Sequence, residues 1–229
     1  MWAALLEKGH WGGQIIERKP TGELEPEWLT ISVIKNVQEE VSNYVAIFTS
    51  ISELVKRQHL LEGIANQDPL TGLPNRRLLT DRLQQAMLGA ARNNKLLAVC
   101  FLDLDGFKQV NDDFGHATGD LLLQEIARRI KGMLRASDTV ARIGGDEFVL
   151  LFNDLHNRED VQKLLDRVLA TITVPVQFEA AQAHVSASIG VSFFVDDSDD
   201  ANKLMLQADE AMYRAKQQGK AQYCFFSPL

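Results

Sequence analysis

Leu96-Leu97-Ala98-Val99-Cys100-Phe101-Leu102-Asp103-Leu104-Asp105-Gly106 is the stretch on which the reading of this chain turns. Residues 96–102 are apolar at odd and even positions alike, so a strand built from them must be covered on both faces, in the middle of a layered structure. The run ends abruptly in two carboxylates. Side chains alternate along a strand, so Asp103 and Asp105 share a face for as long as extended geometry persists, and Asp103 becomes a candidate ligand for a hard cation. An Asp-rich strand end is also an ordinary turn or helix cap.

On either side, apolar periodicity predicts helices over 78–92, 118–134, 158–170 and 201–217, and strands over 139–143, 148–152, 185–191 and 222–226. Strands interleaved with helices imply an α/β fold, an α+β sandwich with one central sheet flanked by helices. The first fifty residues read differently. Strands over 13–18, 28–35 and 44–49, with Lys19-Pro20-Thr21-Gly22-Glu23 as a turn, make a short N-terminal antiparallel β segment. From Ser50 the apolar positions Ile51, Leu54, Leu61 and Ile64 line one face of a helix that reaches Asn66 and serves as linker.

Composition narrows the functional classes. The chain has 229 residues, 45% of them hydrophobic, enough for a buried core. A formal charge of −7 gives no broad attraction to nucleic acid or anionic lipid, so no nucleic-acid partner is expected. Two cysteines, Cys100 in an apolar run and Cys224 near the end, read as reduced thiols rather than a disulfide framework. No apolar stretch approaches the roughly 20 residues of a membrane helix, and Met1–Leu6 is too short for a secretory signal. The expectation is a cytoplasmic domain with no membrane insertion within this chain, any attachment lying in other regions of a parent protein.

A second carboxylate pair occurs in Arg142-Ile143-Gly144-Gly145-Asp146-Glu147-Phe148, where apolar strands flank a four-residue turn made sterically feasible by glycine. As a local feature this is simply a good turn. Placed beside the strand ending at Asp103, it gathers several acidic oxygens and a glycine-lined backbone at one exposed point. That is the chemistry of a Mg²⁺ and triphosphate site, because Mg²⁺ takes one or two carboxylates and fills its octahedron with phosphate oxygens and water. Gly106-Phe107-Lys108 offers backbone N–H groups and a cation at the start of a short helix. Asn111 and Asp120 have the side-chain chemistry that guanine wants, and Lys216 and Lys220 can reach phosphates. Singly, lysines at a helix C-terminus merely complement the dipole, and Asn111 is an ordinary surface polar group.

Together the blocks resemble a family. Asp68-Pro69-Leu70-Thr71-Gly72-Leu73-Pro74-Asn75-Arg76, Phe101–Lys108, Asn111–Asp120, Gly144–Phe148, Ser188-Ile189-Gly190-Val191, and Ala208-Asp209 with Tyr213-Arg214-Ala215-Lys216 look like the successive motifs of GGDEF-domain diguanylate cyclases. The resemblance implies a nucleotidyl-cyclase-like fold over 68–229 with a central, mostly antiparallel sheet. It implies an enzyme, a nucleotidyltransferase that condenses two GTP into cyclic di-GMP and two pyrophosphates. Asp103, the Leu104 carbonyl and Asp146 would hold Mg²⁺, with Mn²⁺ as a substitute. Glu147 would assist the metal or deprotonate the attacking 3′-hydroxyl, so Asp146 and Glu147 are the catalytic candidates. Gly106, Phe107, Lys108, Gly144, Gly145, Lys216 and Lys220 would hold the triphosphate, and Asn111, Asp120 and His116 the guanine. Each GTP must present its 3′-oxygen to the other's α-phosphate, so a homodimer is implied. Arg135 and Asp138 resemble the family's product-inhibition site for cyclic di-GMP, though such a pair is commonly just a solvated turn.

The sequence departs from the family where Gly-Arg-Asn is usual: here Gly219-Lys220-Ala221 keeps the charge and loses the bidentate fork. Residues 1–53 resemble the C-terminal part of a PAS sensor domain, with 54–67 as a signalling linker. The competing reading is a catalytically silent module that binds GTP or cyclic di-GMP and regulates an attached domain.

Overall fold

The computed structural model describes residues 1–53, 55, 65–178 and 182–227, in two compact units, Met1–Gly63 and Ile64–Leu229. The first opens on a helix absent from the sequence reading, α1 (Trp2–Lys8). It ends at Gly9, whose φ of 76° lets its N–H reach the Leu5 carbonyl. An antiparallel meander follows, β1 (His10–Arg18), β2 (Leu24–Lys35) and β3 (Val41–Ser50), in that spatial order. All three strands outrun their expected limits. Leu5 and Leu29 are buried, whereas β3 is exposed at every position. Of the expected linker helix, Ser52, Glu53, Val55, Ala65 and Asn66 are helical, and residues 54 and 56–64 lie outside the described residues.

The second unit carries the sheet that the apolar run demanded. Its helices and strands are α2 (Arg76–Asn93), β4 (Leu96–Asp105), α3 (Phe107–Phe114), α4 (His116–Met133), β5 (Thr139–Gly144), β6 (Glu147–Leu155) and α5 (Arg158–Thr173). Two short paired strands follow, β7 (Val176–Gln177) and β8 (Gln182–Ala183), then β9 (Ser186–Phe194), α6 (Ala201–Gln217) and β10 (Tyr223–Phe225). The main sheet has the order β10-β9-β4-β6-β5, antiparallel except where β10 runs beside β9. β4 is therefore central, as its two apolar faces require.

Each face buries its own core. Ala98, Cys100, Leu102 and Leu104 join Phe148, Leu150, Ile189 and Val191 beneath α4 and α5, which contribute Leu122, Ile126, Val161 and Leu165. Leu97, Val99 and Phe101 join Val149 and Leu151 beneath α2 and α6, which contribute Leu79, Leu83, Leu204 and Ala208. Side-chain caps fix the starts of α2, α5 and α6: Asn75 accepts from Leu78 N–H, Asn157 from Asp160 N–H and Asp200 from Lys203 N–H. At Gly190 the backbone of α6 lies directly against the sheet. A Cβ there would lie 1.9 Å from the Ala208 carbonyl oxygen and 2.0 Å from Met212 N.

Candidate active site

β4 delivers the first carboxylates. It remains extended through Asp105, so Asp103 and Asp105 do share a face, the one covered by α2 and α6. Their partners differ. Asp103 Oδ2 lies 2.8 Å from Lys216 Nζ, which brings the end of α6 to the end of β4. Asp105 accepts from Ser186 Oγ, Ser188 Oγ and Ala221 N–H.

The glycine hairpin meets this strand end directly. Asp103 pairs with Glu147 in the β4–β6 register, and Leu104 N–H donates to the Asp146 carbonyl at 3.3 Å. The turn is tighter than the expected four residues: Gly144 pairs with Glu147, leaving Gly145 and Asp146 as the connection. Gly144 at φ 155° and Gly145 at φ 49° occupy backbone that favours glycine. Asp103, Leu104, Asp146, Glu147, Gly144, Gly145 and Lys216 are thus brought together at one sheet end.

Charge is crowded there. Burial, opposed by the hydrogen bond from Lys216 and reinforced by Asp146 and Asp105, pushes the Asp103 carboxyl above the usual carboxylate range. Burial and the charges of Asp103, Asp209 and Asp146 push Glu147 up as well. Among the described residues no three His, Cys, Asp or Glu side chains are arranged to hold a metal ion. The donor set nevertheless suits a hard divalent cation: Asp103 and Asp146 supply carboxylates, the Leu104 backbone a carbonyl, and Mg²⁺ needs no more than one or two carboxylates when phosphates complete the shell.

Of the expected nucleotide residues, Gly106, Phe107, Lys108, Asn111, His116 and Asp120 lie along α3 and the start of α4. Gly106, at φ 84°, starts α3 and leads into Phe107 and an exposed Lys108. The Asn111 carboxamide lies against Gly119, where an added Cβ would sit 1.9 Å from its Oδ1. Asp120 follows, with His116 one turn earlier on the same face of α4. Lys220 is exposed, with φ 64°.

Two features were not foreseen. Arg142 Nη1 donates to both Asp68 oxygens, at 2.9 and 3.0 Å, and its Nε donates to the Gly145 carbonyl at 2.9 Å. Asp68 in turn accepts from Thr71 N–H and Oγ1. One guanidinium therefore braces the glycine turn against the start of the unit. Both residues sat inside quoted motifs, yet 74 positions separate them and nothing local announces the pair. The second is a cleft of about 500 Å³ between α2 and α6, which Arg76, Phe101, Glu147, Met205 and Asp209 help to line.

Arg135 and Asp138 lie apart from this cluster, in the turn between α4 and β5. Asp138 shapes that turn, accepting from Arg135 N–H and Asn153 N–H. The Arg135 side chain helps to line a cavity of about 530 Å³ that Lys163, Arg167 and His156 also line. These additional cations were not singled out in the sequence.

Known proteins resemble this chain in sequence and fold. Residues 65–222 match the family model "Diguanylate cyclase, GGDEF domain". The chain is 44% identical over 198 residues to the bifunctional diguanylate cyclase/cyclic di-GMP phosphodiesterase MucR of Pseudomonas aeruginosa, covering 86% of this chain and 28% of MucR. It is 41% identical over 157 residues to diguanylate cyclase TpbB of the same species, covering 68% of this chain and 36% of TpbB. The chain thus spans about a third of the length of these curated relatives. The solved GGDEF domain of TpbB superposes with a TM-score of 0.69 at 39% identity, covering 71% of this chain and 95% of that one. A microbial GGDEF domain solved in its interaction with cyclic di-GMP gives 0.61 at 32% identity, covering 72% and 99%. With β4, β5, β6 and β9 of its main sheet, its glycine hairpin and the carboxylates beside it all lying in the matched segment, this chain belongs to the GGDEF-domain diguanylate cyclase family.

Proposed function

We propose that this chain is a diguanylate cyclase that joins two GTP into cyclic di-GMP and releases two pyrophosphates, within the cytoplasm. The observation that carries the reading is the convergence of Asp103, the Asp146–Glu147 pair and Lys216 at one open sheet end. Each 3′-oxygen forms a bond to the partner's α-phosphorus as the bond to the β-phosphate oxygen breaks. Glu147, whose carboxyl is already raised toward proton affinity, accepts the 3′-hydroxyl proton. Lys216, 30% exposed on its side chain, exchanges its Asp103 partner for a phosphate oxygen, and Lys108 and Lys220 add positive charge. The N–H groups at Gly106–Phe107 and the bare Gly144–Gly145 backbone let phosphate approach closely. Asn111, Asp120 and His116 hold guanine. Asp103, the Leu104 carbonyl and Asp146, helped by Glu147, would hold Mg²⁺ or Mn²⁺, which supplies charge neutralisation at the phosphoryl oxygens.

Because one site holds one GTP, two copies of the chain face each other in turnover. Cyclic di-GMP returns as an inhibitor at Arg135, with Asp138 setting the turn that presents it and Lys163 and Arg167 adding cations. Residues 1–53 are the C-terminal part of a PAS-like sensor, 54–67 the linker and 68–229 the cyclase domain. Among the described residues no helix is long and apolar enough to cross a membrane.

Incubating the purified protein with GTP and Mg²⁺ and separating the nucleotides tests the proposal. Cyclic di-GMP and pyrophosphate should form in a 1:2 ratio, and Asp146→Ala and Glu147→Gln should each lower turnover at least about a hundred-fold while still folding. GTP that binds and stays intact in the wild type would instead favour a silent binding module. Arg135→Ala should lose product inhibition and keep the initial rate.

A further inference from the structure

Asp105 is the carboxylate the mechanism leaves unused, and its surroundings say what it does. It is 9% exposed and both oxygens are occupied: Oδ1 accepts from Ser188 Oγ at 2.9 Å, and Oδ2 accepts from Ser186 Oγ at 3.0 Å and Ala221 N–H at 3.2 Å. Ser188 is fully buried in β9, the strand beside β4. A carboxylate so engaged has little left to offer a cation.

The turn it grips is unusual. Gly219, Lys220 and Ala221 have φ of 117°, 64° and 50°, three successive residues in backbone that only glycine enters freely. Such conformations persist when surrounding contacts over-determine them. Here Lys220 N–H donates to the Ala215 carbonyl, Ala221 N–H to Asp105, and the Gln222 carbonyl accepts from Ile189 N–H. The only charged group among these anchors is Asp105, 116 positions away in sequence. Lys220 itself has no side-chain hydrogen bond or ion pair among the described residues.

We propose that Asp105 is a positioning residue that holds the Gly219–Ala221 turn in its left-handed course, so that Lys220 is presented to the nucleotide phosphates beside Lys216. This rests on the reading of Lys220 as a phosphate ligand given above. It also answers the departure at Lys220: a lysine without arginine's planar fork depends more on the backbone that aims it.

Steady-state rates and GTP affinity, the latter by calorimetry with a non-hydrolysable GTP analogue, separate the possibilities. Asp105→Ala should raise KM on the order of ten-fold or more, with a smaller change in kcat and no change in the Mg²⁺ requirement. Combined with Lys220→Ala it should lose no more than either single change, since both act through one contact. Asp105→Asn should recover most of the loss: its amide oxygen accepts from Ala221 N–H, and its nitrogen donates to a Ser188 hydroxyl that turns to accept. An Asp105→Asn variant as impaired as Asp105→Ala and restored by added Mg²⁺ would overturn the proposal, as would additive losses in the double variant. If Asp105→Ala fails to fold by circular dichroism, Asp105→Asn with near-wild-type KM supports the proposal and a ten-fold rise refutes it. If the wild type binds the analogue but makes no cyclic di-GMP, the cyclase reading fails while the affinities still decide on Asp105. Absence of binding sinks both.

Discussion

Phe48 in β3 and Phe148 in β6 both sit in apolar strand segments, yet Phe48 is 54% exposed and Phe148 is fully buried. The sheets around them explain the contrast. β6 lies inside a five-stranded sheet whose two faces are covered by helices, whereas β3 is the edge of a three-stranded meander exposed along its whole length. The same alternation of side chains leads to a core only where a second layer supplies a partner. An apolar strand is therefore half of an interaction.

Substitutions can break this contrast, and the largest effect belongs to the core. Phe148→Ala should cost about 3–5 kcal/mol in urea unfolding, while Phe48→Ala should stay within about 0.5 kcal/mol. Equal costs would mean that β3 is covered in solution. Asp68→Ala comes next, removing the brace on Arg142. The pair is mostly buried, with side chains 11% and 17% exposed, so a loss on the order of 2 kcal/mol is expected, with a matching fall in cyclic di-GMP formation.

The same residue gives a pH signature confined to the second unit. Burial alone would raise the Asp68 carboxyl, but hydrogen bonds from Thr71 and Arg142 outweigh it and hold it below the usual range. A depressed folded pKa contributes stability that is complete above the unfolded value of about 4 and fades as pH falls through the folded one. Urea midpoints of wild type and Asp68→Asn should therefore converge below about pH 4. The smallest effect concerns the exposed sheet. Ile47→Ser with Phe48→Ser should lower the emission of an apolar-surface dye while moving the melting temperature by less than about 2 °C.

How much of this was legible depended on whether the cause was local. β4 was readable because seven apolar residues in a row require cover on both sides, and α6 because its apolar positions follow a 3.6-residue period. α1 was not, being seven residues with no side-chain cap. Asp103, Asp146, Glu147 and Lys216 were singled out through motifs distant in sequence; strand pairing brings Asp103 beside Glu147, and the end of α6 brings Lys216 to Asp103. The Arg142 brace and the grip of Asp105 were invisible, because each joins residues far apart in sequence through ordinary side chains. The tight hairpin was misjudged by two residues, since glycine permits several turns and only the β5–β6 register selects one.

Gly190 carries a consequence for the far end of α6. With main-chain atoms of Ala208 and Met212 pressed onto that bare Cα, the helix has a fulcrum rather than a cushion. Lys216 stands one helical turn beyond it, so even a methyl group inserted as a wedge at residue 190 would tilt the ammonium away from Asp103. The reach of the Lys216 ammonium toward Asp103 is thus calibrated by a side chain that is missing from β9.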